Sequence, residues 1–73
     1  MQLKKIGNNQ TQLNQNGNSF LFSYETLVAC NINGQTFVTK QKYSSTTNRH
    51  IKSWVNGDFE YKTQAQLNDF LEN

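Results

Sequence analysis

The sequence predicts an α+β domain: a small antiparallel β-meander of about five strands, with two short helices in the C-terminal half packed on one face of the sheet. Three observations carry this. Two Asn-Gly pairs, Asn16-Gly17 and Asn33-Gly34, each separate strand-like runs, and Asn-Gly is the strongest short-range signal for a two-residue type I′ hairpin. Ile51, Trp54 and Val55 then recur at i, i+3 and i+4, one stripe of a helix. Leu67, Phe70 and Leu71 repeat that stripe further on.

In chain order, Gln2 to Ile6 reads as a first strand, and Gly7-Asn8-Asn9 as the turn into the second. The first Asn-Gly turn places Leu13 opposite Phe20 and Thr11 opposite Phe22. The second places Ile32 opposite Gln35, Cys30 opposite Phe37 and Val28 opposite Thr39. Alternation supports this register, with Phe20, Phe22 and Tyr24 on one face of a strand and Val28, Cys30 and Ile32 on one face of the next. The meander spans roughly residues 2 to 43. Ser44, Ser45, Thr46 and Thr47 are all candidate N-caps for the first helix, and Asn56-Gly57 supplies a left-handed stop. After an extended piece from Asp58 to Lys62, Thr63 and Gln66 have the spacing of a capping box that opens the second helix.

The 73 residues form one domain, 1–73, of modest core: 34% are hydrophobic, but five Phe, three Tyr and one Trp supply large buried area. No apolar run approaches the roughly 20 residues needed to span a bilayer, and Met-Gln-Leu-Lys-Lys lacks the apolar region of a signal peptide. The single cysteine suits a reducing compartment. A cytoplasmic location is expected.

Net charge is only +2, yet its distribution is uneven. No acidic residue lies between Glu25 and Asp58, an interval holding Lys40, Lys42, Arg49 and Lys52, whereas the last residues carry Asp58, Glu60, Asp69 and Glu72 against Lys62. The stretch from Lys40 to Trp54 joins cations, hydroxyls and a helix N-terminus, the ingredients of phosphate binding. The candidate binding residues are Lys40, Lys42, Tyr43, Thr46, Thr47, Arg49, His50 and Lys52. The cations would neutralise phosphates, Thr46 and Thr47 would donate at the helix start, His50 would orient the contact, and Tyr43 would stack on a base. The same residues also read as ordinary helix caps and a solvated face. The sequence pI of about 8.9 falls just below the guide value for nucleic-acid-binding domains.

Catalytic chemistry has few parts to work with. Cys30 and His50 are the one candidate thiol and base, but Cys30 falls mid-strand on an apolar face, where cysteine acts as a small hydrophobe. Asp58 and Glu60 share a face two residues apart, an arrangement that also serves a solvated strand edge. His, Cys and carboxylates show no metal-ligand spacing, and the four glycines form no phosphate loop or dinucleotide fingerprint. No enzyme activity, cofactor or metal is expected.

The segments KKIGNNQTQL, SFLFSYET and YSSTTNRHIKSWVNG together resemble a group of short uncharacterised proteins of tailed phages, in which a Tyr-Ser-x-Thr-Thr-x-basic-His run precedes a Trp-bearing helix. The matching positions are Tyr43, Ser44, Thr46, Thr47, Arg49, His50 and Trp54. The resemblance implies a phage or prophage origin and a host-cytoplasm setting, and it brings no activity with it. The abundance of Asn, Gln and Lys and the absence of Pro agree with an AT-rich coding sequence. The function expected is that of a phage-type accessory protein acting by macromolecular binding, with nucleic acid as partner through Lys40 to Lys52. The alternative is an inhibitor or modulator of a host enzyme or antiviral defence complex, which needs only a patch of about 800 Å².

Overall fold

The computed structural model describes the backbone of residues 2–7 and 9–72. Its elements are β1 (Gln2–Gly7), β2 (Gln10–Gln15), β3 (Asn18–Ser23), β4 (Thr26–Ile32), β5 (Gln35–Thr39), α1 (Ser45–Trp54), β6 (Glu60–Lys62) and α2 (Gln64–Glu72). The strands form one sheet in the order β1-β2-β3-β4-β5-β6, antiparallel throughout except that β6 runs parallel to β5. The α+β meander with two C-terminal helices is therefore present, with one strand more than expected. The sixth is the charged piece between the helices.

Both Asn-Gly turns have positive φ at their two central residues, 52° and 81° at Asn16-Gly17 and 53° and 85° at Asn33-Gly34. Positive φ at both positions is what a type I′ turn demands. The registers follow: Leu13 pairs with Phe20, Thr11 with Phe22, Cys30 with Phe37 and Ile32 with Gln35. Tyr24, expected on a strand face, instead sits at φ 60° in the turn joining β3 to β4. Asn8, the middle of the expected first turn, lies outside the described residues.

The alternation expected for β4 is broken by a bulge. Leu21 pairs with Ala29 but Phe22 pairs with Leu27, so Val28 is an extra residue on β4. The extra residue shifts the parity of the strand. Leu27 and Cys30 face one side while Val28 and Ala29 face the other, so Val28 does not share the face of Cys30.

The helices lie on opposite faces, a correction to the expectation of one. Leu13, Phe20, Leu27, Cys30 and Phe37 pack with Leu67 of α2, with Phe70 and Leu71 beside them, and Phe70 stacks on Phe37 at 5.1 Å. On the other face Leu21, Val28, Ala29 and Val38 pack against Ile51, Trp54 and Val55 of α1. Topology explains the division. Parallel strands need a crossover rather than a hairpin, and α1 is the crossover from β5 to β6, covering one face. The chain leaving β6 then covers the other with α2. The central strands are consequently buried on both sides, which continuous apolar runs such as Phe20-Leu21-Phe22 and Leu27-Val28-Ala29-Cys30 satisfy.

Helix ends are set by side chains. Ser44 is the N-cap of α1, its hydroxyl accepting from the Thr47 N–H at 3.3 Å. At the other end the expected left-handed stop at Asn56-Gly57 is displaced: α1 ends at Trp54, Val55 leaves in an extended conformation, and Gly57 (φ 95°) turns the chain towards β6. The capping box of α2 is reciprocal. The Gln66 N–H donates to Thr63 Oγ1 at 3.2 Å, and the Thr63 N–H donates to Gln66 Oε1 at 3.0 Å.

Candidate functional site

The stretch from Lys40 to Lys52 divides into an inward and an outward set. On α1, Thr47 and His50 share the helical stripe of Ile51 and Trp54, and both are turned to the sheet, 4% and 8% exposed. They meet Ser23 of β3, itself 2% exposed. Ser23 Oγ lies 3.0 Å from Thr47 Oγ1 and 2.7 Å from His50 Nδ1, and the Ser44 hydroxyl donates to Thr47 Oγ1 at 3.4 Å. With the imidazole proton on Nε2, a single direction satisfies the chain: Ser44 donates to Thr47, Thr47 to Ser23, and Ser23 to His50 Nδ1. Thr47 and His50 therefore hold α1 on the sheet, and their expected phosphate contacts are replaced by internal ones.

The Ser23–His50 contact has the residue types of a nucleophile and base. Its hydroxyl, however, is committed on both sides, and the space beside it is a small pocket of about 250 Å³ that Ser23 and Thr47 help to line. Cys30 and His50 do not come together: Cys30 belongs to the α2 face of the sheet and His50 to the α1 face. Burial also pushes the Cys30 thiol up to about 11, away from the thiolate that nucleophilic chemistry needs.

Lys40, Lys42, Thr46, Arg49 and Lys52 are exposed. Three of these cations converge on a groove of about 850 Å³ on the α1 side of the sheet. One wall is the end of β5 and the segment after it, with Lys40, Gln41, Lys42 and Tyr43. The second wall is α1, through Asn48, Ile51, Lys52 and Val55. Phe59 and Tyr61 complete the lining, Tyr61 on β6 beside β5 and Phe59 just before it. Thr46 and Arg49 are exposed on α1 but do not line the groove.

Tyr43 forms part of the wall and is held there by its hydroxyl, which donates to Gln64 Oε1 at 2.9 Å. Gln64 also accepts from Thr39 Oγ1 at 2.8 Å and donates to the Leu27 carbonyl at 2.7 Å, tying the start of α2 to β4, β5 and the groove wall. Trp54 lies beyond the groove, its indole N–H donating to Gln12 Oε1 at 2.9 Å.

Phe59 and Tyr61 line the groove although neither was among the residues expected from sequence. They are 42% and 59% exposed, and their rings meet edge to face, 5.2 Å apart at 82°. Pairing of β6 with β5 sets which way they point. Tyr61 pairs with Val38, whose side chain faces α1, whereas Glu60 pairs with Phe37, whose side chain faces α2. The acidic residue of β6 is thus directed away from the groove, and no Asp or Glu is among the described residues that line it. Lys62, on the α2 side, places its ammonium 5.3 Å from the centroid of Phe37. The apolar-polar alternation Phe59-Glu60-Tyr61-Lys62 was the available signal, that of a strand with one aromatic face.

Residues 1–71 match the model of DUF8033, a family of unknown function. The chain belongs to this family. No match to the chain is found among curated proteins or among solved structures. No helix of the DUF8033 protein is, among the described residues, long and apolar enough to cross a membrane.

Proposed function

We propose that this DUF8033 protein is a phage-type accessory protein that acts by binding rather than catalysis, and that its partner is nucleic acid held in the groove between α1 and β6. The observation that carries the reading is the composition of the groove: Lys40, Lys42 and Lys52 beside the exposed rings of Phe59 and Tyr61, with no lining carboxylate among the described residues. Cations neutralise backbone phosphates and fix position, and aromatic faces accept bases. The proposed contact surface keeps Lys40, Lys42 and Lys52 of the basic stretch, adds Phe59 and Tyr61 from outside it, and is centred on the groove instead of the helix start. Host cytoplasm is the setting this function implies.

A salt titration of binding to generic DNA and RNA tests the proposal. Three phosphate contacts predict a log–log slope of about 2 to 3 in magnitude, and Lys40→Gln, Lys42→Gln and Lys52→Gln together should abolish binding. Absence of binding at low salt, or an affinity indifferent to salt, contradicts it. A protein partner is the second reading, favoured by the edge strand β1, where Leu3 is 68% exposed. Nuclease-resistant, stoichiometric capture of one host protein, lost on Leu3→Asp, would support that reading.

A further inference from the structure

Resting on the nucleic-acid reading, we infer that the groove is selective for single strands, and that Phe59 and Tyr61 form a corner in which an unpaired base is seated while Lys40, Lys42 and Lys52 hold the flanking phosphates. Two rings set 82° apart at 5.2 Å present perpendicular walls. A planar base laid against one ring meets the other at its edge, the arrangement that aromatic quadrupoles favour. Both rings are exposed at the surface although each is large and apolar, and capping them with a base removes that surface from water.

A duplex offers no such face. Its bases are stacked on one another, and a protein reaches them only along their edges in the grooves. The lysines supply the complementary half. Lys40 and Lys42 follow β5 and Lys52 stands on α1, whereas Tyr61 belongs to β6, the strand paired with β5, and Phe59 just precedes it; all five line the same groove. A strand whose phosphates meet the cations and whose bases meet the rings uses both. The turning of Glu60 to the opposite face of the sheet keeps a phosphate-repelling charge out of the channel.

The experiment compares the intact protein with four labelled probes by fluorescence anisotropy at low salt: a thymidine 12-mer, a uridine 12-mer, a 12-base-pair duplex, and a 12-mer of abasic sites with the same number of phosphates. The single strands should bind at least about fivefold more tightly than the duplex or the abasic chain, the lower bound of one stacked base. Tyr61→Leu keeps apolar bulk on the strand but removes the aromatic face. It and Phe59→Ala should each lower single-strand affinity by about fivefold or more while leaving the abasic probe unchanged. Thermal melting of each variant confirms that it is folded.

A duplex bound as tightly as the single strands would overturn the inference and move the contact to the solvent face of α1, leaving the nucleic-acid reading intact. Equal affinity for the abasic chain, or a folded Tyr61→Leu protein that binds as the parent does, would overturn it likewise. Failure to bind any of the four probes would overturn both the inference and the reading beneath it.

Discussion

Replacing Ser23 by Ala separates the two roles open to the hydroxyl-rich run before α1. In the structure one buried hydroxyl bridges Thr47 Oγ1 at 3.0 Å and His50 Nδ1 at 2.7 Å. Its removal deletes two hydrogen bonds, each worth about 0.5–1.5 kcal/mol net, and leaves the imidazole nitrogen without its partner, a penalty of about 1–3 kcal/mol. The Thr47 hydroxyl can rotate, which recovers part of the loss, so the expected cost is about 2–4 kcal/mol. A chain of 73 residues has a total stability of about 4–11 kcal/mol, so the substitution removes a large share of its margin. Urea denaturation at constant m reads the change, and a cycle with Thr47→Val isolates the coupling. Coupling above about 0.5 kcal/mol is expected, with unchanged nucleic-acid affinity in the folded protein. A destabilisation below about 0.5 kcal/mol would show that the Ser23 hydroxyl does not hold α1 on the sheet, because a surface-like cost is incompatible with a buried network.

Further predictions address the two faces of the sheet. Leu67 is fully buried and is the α2 residue at the centre of its cluster; Leu67→Ala should cost about 2–5 kcal/mol in chemical denaturation, without altering affinity at the groove on the other face. Burial pushes the Cys30 thiol in the folded chain up to about 11 from its ordinary value of 9.0. The unfolded chain therefore loses its proton first, and this contribution to stability is intact below pH 9 and declines as pH rises to about 11. The decline amounts to about 2–3 kcal/mol, and stability curves of the parent and of Cys30→Ala should converge across that window. Gly34 holds φ 85° in the second hairpin; Gly34→Ala should cost about 1–2 kcal/mol through left-handed strain, read from the urea midpoint.

Local chemistry made much of this fold legible. Asn16-Gly17 and Asn33-Gly34 specify hairpin registers because their backbone conformation admits little else, and Thr63 and Gln66 form their capping box within four consecutive residues. What the sequence concealed was non-local. The bulge at Val28 changes the parity of β4 without any Gly or Pro to announce it. The opposite placement of the helices depends on β6 pairing parallel to β5, which a three-residue strand with two charged residues does not advertise. A clue was nonetheless present in Phe20-Leu21-Phe22 and Leu27-Val28-Ala29-Cys30, runs too continuously apolar for a sheet covered on only one side.

The candidate site was legible in the same uneven way. Acid-free charge pointed to a segment of which Lys40, Lys42 and Lys52 line one groove. Helical spacing already put Thr47 and His50 on the stripe of Ile51 and Trp54, the face turned to the core. Their polarity suggested a ligand, and the hydroxyl that satisfies them came from β3, 24 and 27 residues away. Phe59 and Tyr61 lay in an acidic segment whose carboxylate Glu60 is turned away only by strand alternation.

The most direct measurement is a backbone amide chemical-shift titration of the protein with a thymidine 12-mer. Perturbations should concentrate at Lys40–Tyr43, around Asn48 and Lys52, and from Gly57 to Tyr61, with the α2 face from Leu67 to Phe70 silent. Shifts centred on the edge strand β1 or on α2, with the groove unperturbed, would contradict binding in the groove.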